Sequence, residues 1–254
     1  MSFFEQLGAM NTSLSFREIM DVGYFGFNFG LQDNFNITML VVSGIICAIV
    51  SYLFGSINCS VMISSKKYGN DIRTQGSGNA GATNMMRVYG KKAATLTFLG
   101  DVLKSAAASI IGRLLLGYVG AYVAGLFCVI GHAFPLFFKF KGGKGVVAIS
   151  TMCLLTEPLV FAIMLVIFVI ILFGYKMVSL ASIMAMITYP LVLSKAALFV
   201  DQPYGIHMIL AAANAFFVVF LHRKNIARIF HHEESKISFG KKKKENEQKA
   251  NEEK

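Results

Sequence analysis

Apolar stretches close to the length of a membrane crossing recur along the chain, each closed by a polar or basic segment. A bilayer core of ~30 Å takes about 20 helical residues to span. Runs meeting or approaching that measure lie at 37–54, 93–115, 120–138, 177–193 and 205–221. With 55% hydrophobic and only 15% charged residues, the chain falls outside the composition of soluble domains. The short alternating strands of a membrane β-barrel are not seen. The reading is an all-α, polytopic integral membrane protein.

Segment 145–175 is too long for one upright helix and short for two. Glu157 and Pro158 interrupt it near the middle, and proline removes a helical hydrogen bond. Parity decides. A single crossing would leave Arg223, Lys224, Arg228 and the lysines at 241–244 outside, against the tendency of basic residues to stay cytoplasmic. A short helix followed by a longer one brings them inside. The expectation is therefore about seven transmembrane helices over 37–237, with the N-terminus outside and the C-terminus cytoplasmic. Residues 1–36 form an outer extension, and 238–254 a disordered lysine-rich tail.

The net charge of +10 has the same cause, since basic residues collect in the inner loops and attract anionic membrane lipid. No nucleic-acid partner is expected. Cys47, Cys59, Cys128 and Cys153 stand singly, which suits small buried side chains rather than a metal site.

Three polar clusters punctuate the apolar frame. The first is DIRTQGSGNAGATNMMR, Asp71 to Arg87. Its glycines permit positive φ, so successive N–H groups can converge on an anion, and Arg73 and Arg87 stand at its ends. The formal GxGxxG within it lacks the strand and helix of a dinucleotide site. The second cluster is GHAFPLFFKFKGGKGVV, with His132 and the Gly142–Gly143–Lys144 turn. No Ser or Thr follows Lys144, so this is not a nucleotide P-loop. The third is HRKNIARIFHHEESK, where His222, Asn225 and Arg228 share a helical spacing. Asp101 and Lys104, one turn apart inside an apolar run, are expensive in lipid and mark function or a buried pair. The derived topology puts all three clusters on one side of the membrane, where they can meet around a phosphorylated ligand.

These segments, beginning GSINCSVMISSKKYGNDIRTQGSGNAGATNMMRVYG, resemble in order the three motifs of the bacterial acyl-phosphate:glycerol-3-phosphate acyltransferases, over about 55–236. The resemblance implies transfer of an acyl group from acyl phosphate to the 1-hydroxyl of glycerol 3-phosphate. The products would be lysophosphatidic acid and inorganic phosphate, the first step of phospholipid synthesis, with no cofactor. Ser56 and Arg73 match the family's serine and arginine, with Ser77, Gly78 and Asn79 in its loop. Gly142, Gly143 and Lys144 match its glycine-lysine turn, and His222, Arg223, Asn225, Arg228 and Glu234 its third motif. Ser56, Arg73, His132, His222, Asn225 and Glu234 are thereby the catalytic candidates. Ser77, Gly78, Asn79, Arg87, Lys104, Gly142, Gly143, Lys144 and Arg228 are the phosphate-binding ones. Five residues at three places depart from the pattern: Asn58 and Ser60 replace a proline and a glycine, Val147–Ala148 an Ala-Thr pair, and His232 a glycine.

An acyl phosphate is already activated, so the chemistry asks for positioning of two anions and stabilisation of an oxyanion. His132, His222 and Glu234 are candidates for general base, beside a phosphate oxygen of the substrate itself. The alternative is a transporter for a phosphorylated metabolite. Transporters commonly carry inverted repeats, and none is visible here.

Overall fold

The computed structural model describes residues 37–200 and 205–237. The extension at 1–36 and the tail at 238–254 lie outside the described residues. Within them the fold is all-helical: α1 (Ile37–Ser56), α2 (Cys59–Tyr68), α3 (Ala82–Ala133), α4 (Val146–Thr156), α5 (Pro158–Tyr175), α6 (Val178–Val200), α7 (Gly205–Leu221) and α8 (Arg223–Phe230). Four helical stretches are long and apolar enough to cross a membrane, or five when α7 and α8, bent by 57°, count as one broken span. The protein is a multi-pass membrane protein.

α3 carries the largest structural surprise. Its 52 residues would run about 78 Å if straight, far beyond a bilayer core. It breaks at Gly90 (φ 80°) and again at Leu116–Gly117, where Gly117 takes φ 61°. Across the second break Lys104 meets His132, Ser105 Oγ lies 3.6 Å from Cys128 Sγ, and Gly112 abuts Gly120. Numbers that rise on one limb and fall on the other define an antiparallel hairpin. α1 lies along the returning limb in the parallel sense, Cys47 near Gly120 and Gly55 against Cys128. A Cβ on Gly55, Gly112, Gly120 or Gly131 would strike the facing backbone, so these glycines set how closely the helices pack.

The break expected near Glu157 is present. α4 ends at Thr156, and Pro158 takes the first position of α5, where a missing N–H has no helical partner to lose. One expectation needs correction. The stretch from Asp71 to Arg87 is not loop throughout, because α3 already begins at Ala82 and places Thr83, Asn84 and Arg87 in its first turns.

Candidate active site

The glycine-rich segment is shaped by its own side chains. Asn58 Oδ1 caps α2 by accepting from Val61 N at 3.1 Å and from Ser60 Oγ at 2.7 Å. α2 ends at Gly69, in the left-handed region at φ 68°. Downstream, buried Asn84 gathers the loop: Oδ1 accepts from Ser77 N at 2.9 Å, while Nδ2 donates to Ile72 O and Gln75 O. Gly76 and Gly78 turn the chain at φ 58° and 70°, conformations costly for other residues. α3 then starts at Gly81 without a side-chain cap.

The second cluster folds back on the end of α3. Gly142 N donates to Ala133 O and Gly143 N to His132 O, both at 3.0 Å. These N–H groups are engaged, so the two glycines contribute room rather than donors. A Cβ at Gly143 would meet His132 Nε2 and the Ala80 carbonyl. Lys144 is the free-reaching group of this turn, and its ammonium donates to Asn225 Oδ1.

The third cluster is organised by Glu234. Its Oε1 accepts from Ser179 Oγ and from Asn225 Nδ2, each at 2.7 Å, and its Oε2 from Arg228 Nε at 2.8 Å. Burial pushes this carboxyl up, but the three donors outweigh it and hold it below the usual glutamate value. A carboxylate so engaged is a scaffold rather than a ready base. For Lys144, burial is the main cause of a pKa lowered to about 8; Arg228 and Arg87 push the same way and Glu234 opposes them. His222 hydrogen-bonds the Val218 carbonyl through Nδ1 at 2.8 Å. A carbonyl only accepts, so the proton resides on Nδ1 and Nε2 keeps a lone pair.

Beneath these clusters sits a buried ionic group. Lys104 Nζ lies 2.9 Å from Asp101 Oδ1 and 2.9 Å from His132 Nδ1, and donates to Ile57 O and Gly55 O at 2.7 and 3.2 Å. Asp101 and Lys104 are thus a buried pair with a third member that the sequence did not reveal.

These groups border one cavity of about 920 Å³. Of the residues anticipated from the sequence, it brings together Ser77, Gly78, Asn79 and Arg87 from the first cluster and His132, Gly142, Gly143 and Lys144 from the second. From the third it adds His222, Asn225, Arg228 and Glu234, with Lys104 and Asp101 beneath. Ser56 and Arg73 stand outside its wall. Ser56 Oγ donates to Tyr52 O and accepts from Leu136 N, pinning the end of α1 to the second cluster. Arg73 pairs with Asp71 at 2.6 Å and donates through Nη1 to Phe138 O and Lys141 O. Both brace the loop that carries Lys144. Ser179 and Asn84 were not assigned a role by sequence. Only their buried polar atoms, visible once the chain is folded, give them away.

A family model described as glycerol-3-phosphate acyltransferase matches residues 45–232. The chain belongs to that family. It is an acyltransferase. Similar curated proteins include the glycerol-3-phosphate acyltransferase of Finegoldia magna, 38% identical over 80% of this chain and 98% of its own length. That of Bacillus subtilis is 39% identical over 75% and 96%. Among solved structures, the glycerol 3-phosphate form of PlsY, an integral membrane glycerol 3-phosphate acyltransferase, superposes at a TM-score of 0.70. It is 34% identical, covering 77% of this chain and 96% of its own. The lysophosphatidic acid form gives 0.68 at 33% identity. The acyltransferase fold is thus shared along nearly the whole length of its relatives.

Proposed function

We propose that the cavity is where this acyltransferase moves a fatty acyl group from acyl phosphate to the 1-hydroxyl of glycerol 3-phosphate. The observation that carries this reading is the convergence of three clusters, remote in sequence, on one space of about 920 Å³ bordered by Arg87, Lys104, Lys144 and Arg228. Such a volume suits two small anions side by side, and the cations offset charge that would otherwise keep them apart. The hydroxyl oxygen attacks the acyl carbonyl, the new ester C–O bond forms, the acyl–phosphate bond breaks, and inorganic phosphate leaves. The hydroxyl proton passes to a phosphate oxygen or to the lone pair on His222 Nε2. Glu234, with three donors on it, fixes Asn225 and Arg228 in place.

The topology accompanying this reading has seven passes. α1, the two limbs of α3, α4, α5, α6 and α7 alternate in direction, which the Gly112–Gly120 hairpin, the Arg113 Nη1 to Leu155 O bond at 3.0 Å and the Ile237 N to Lys176 O bond at 2.7 Å support. The basic residues Lys66, Lys67, Lys91, Lys92, Lys139, Lys141, Arg223 and Lys224 at the cavity end support a cytoplasmic placing of that end and an outer N-terminus, with the cell membrane as the membrane of this reading. Membrane lipid surrounds the apolar flanks, and acyl phosphate and glycerol 3-phosphate are the two substrates.

The test is phosphate release from synthetic acyl phosphate by the purified full chain in lipid, with lysophosphatidic acid measured alongside. Release that requires glycerol 3-phosphate and matches lysophosphatidic acid one for one is expected. Release independent of glycerol 3-phosphate, or equal activity with acyl-CoA alone, overturns the reading.

A further inference from the structure

Four acceptors crowd the Lys104 ammonium: Gly55 O, Ile57 O, His132 Nδ1 and Asp101 Oδ1. An ammonium has three hydrogens and no lone pair. Asp101 Oδ1 stands at ion-pair distance, and whichever acceptors the three hydrogens serve, an ammonium 2.9 Å from His132 Nδ1 can only donate to it. Nδ1 therefore acts as an acceptor, and the neutral imidazole carries its proton on Nε2. That Nε2–H is bordered by Gly143 and by the cavity, and it has no hydrogen-bond partner among the described residues. His222 has the opposite arrangement, its proton on Nδ1 and its Nε2 open.

We propose that His132 is a hydrogen-bond donor in the reaction: Lys104 fixes its tautomer so that Nε2–H meets the acyl-phosphate oxygen that gains charge as the acyl group is transferred. Its neutral ring has no lone pair left to take a proton, since Lys104 holds Nδ1 and hydrogen occupies Nε2. Lys104 is then a positioning residue as well as a cation. It belongs to the buried pair with Asp101 on the outgoing limb of α3, and it sets the ring on the returning limb. This inference rests on the acyl-phosphate reading above for the identity of the oxygen, but its tautomer is a property of the free protein.

Two measurements test it. Nitrogen-15 NMR of His132 in the free protein should show the Nε2–H tautomer, and Lys104→Met should redistribute the proton between the two nitrogens. An Nδ1–H tautomer or an imidazolium at neutral pH in the unaltered protein overturns the proposal whatever the activity. In kinetics, His132→Gln keeps an amide N–H near the Nε2 position, whereas His132→Asn places its amide near Nδ1. Loss of a preorganised donor costs on the order of 10²–10³ in kcat. His132→Asn and His132→Ala should show that loss with KM for glycerol 3-phosphate unchanged, and His132→Gln should recover at least about tenfold of it. A Gln variant no better than Ala, or a loss confined to KM for glycerol 3-phosphate, overturns the donor role. Phosphate release by the unaltered protein tests the functional reading separately from both.

Discussion

Lys144 Nζ donates to Asn225 Oδ1 at 2.5 Å, a bond between residues 81 positions apart that joins the glycine-lysine turn to α8, the short helix after the last membrane run. Burial lowers the Lys144 pKa to about 8, so the free enzyme holds a full positive charge there below that pH and loses it above. The expected outcome is a kcat/KM for glycerol 3-phosphate that declines as pH rises through about 8. Lys144→Arg keeps its charge at any working pH and should carry the decline to higher pH or abolish it. A pH–rate series on the two proteins checks this.

Glu234 raises the Lys144 pKa while burial lowers it, and it also receives the Ser179, Asn225 and Arg228 donors. Glu234→Gln removes the charge and should move the alkaline decline to lower pH. Glu234→Ala strands all three donors, with an expected loss of roughly 2–3 kcal/mol in stability, since hydrogen bonds to charged groups contribute about 1.5–3 kcal/mol each and partial rehydration offsets the sum. Thermal unfolding in detergent reads the second effect. An unchanged midpoint for the Ala variant would remove Glu234 from its scaffold role.

Arg73 holds Phe138 O and Lys141 O while pairing with Asp71, a three-way bracing that the planar guanidinium allows and a single ammonium does not. Arg73→Lys is therefore expected to lose nearly as much activity as Arg73→Ala, on the order of 10–100-fold in kcat/KM, because small displacements of a positioned loop are costly to rate. Asp71→Asn should show the same pattern at smaller size. Kinetics on the three variants decide whether the arginine acts through the loop.

His232 stands at φ 59°, in the left-handed region that glycine adopts more readily than a residue with a side chain. Left-handed backbone costs a side-chain-bearing residue up to about 1–2 kcal/mol, less the entropy that glycine loses on folding. His232→Gly should raise the unfolding midpoint by the equivalent of roughly 0.5–1 kcal/mol and leave turnover intact.

The apolar frame was legible because membrane helices announce themselves by composition: 205–221 was read as a run and is α7, and Pro158 marked the α4–α5 break. The meeting of three clusters followed from counting basic loops. The start of α3 was not legible, since Gly81 offers no capping side chain and the loop's composition runs on into the helix. Nor were the aims of individual side chains. Arg73 reaches carbonyls 65 and 68 positions away, and Ser179 a carboxylate 55 away. Such contacts depend on how helices pack, which local pattern does not encode. The same holds for His132: an isolated histidine on an apolar run gives no hint that a lysine 28 residues earlier sets its proton.

α4 has 11 residues and rises only about 16 Å, roughly half the depth of a bilayer core. Ala148, Ile149, Thr151, Met152, Cys153 and Thr156 are buried against neighbouring helices while Leu154 and Leu155 are exposed, so lipid meets this short helix over a narrow strip, where it would have to thin or admit water. Membranes assembled from shorter or longer chains would press on the helix pair that adjoins the Lys144 turn.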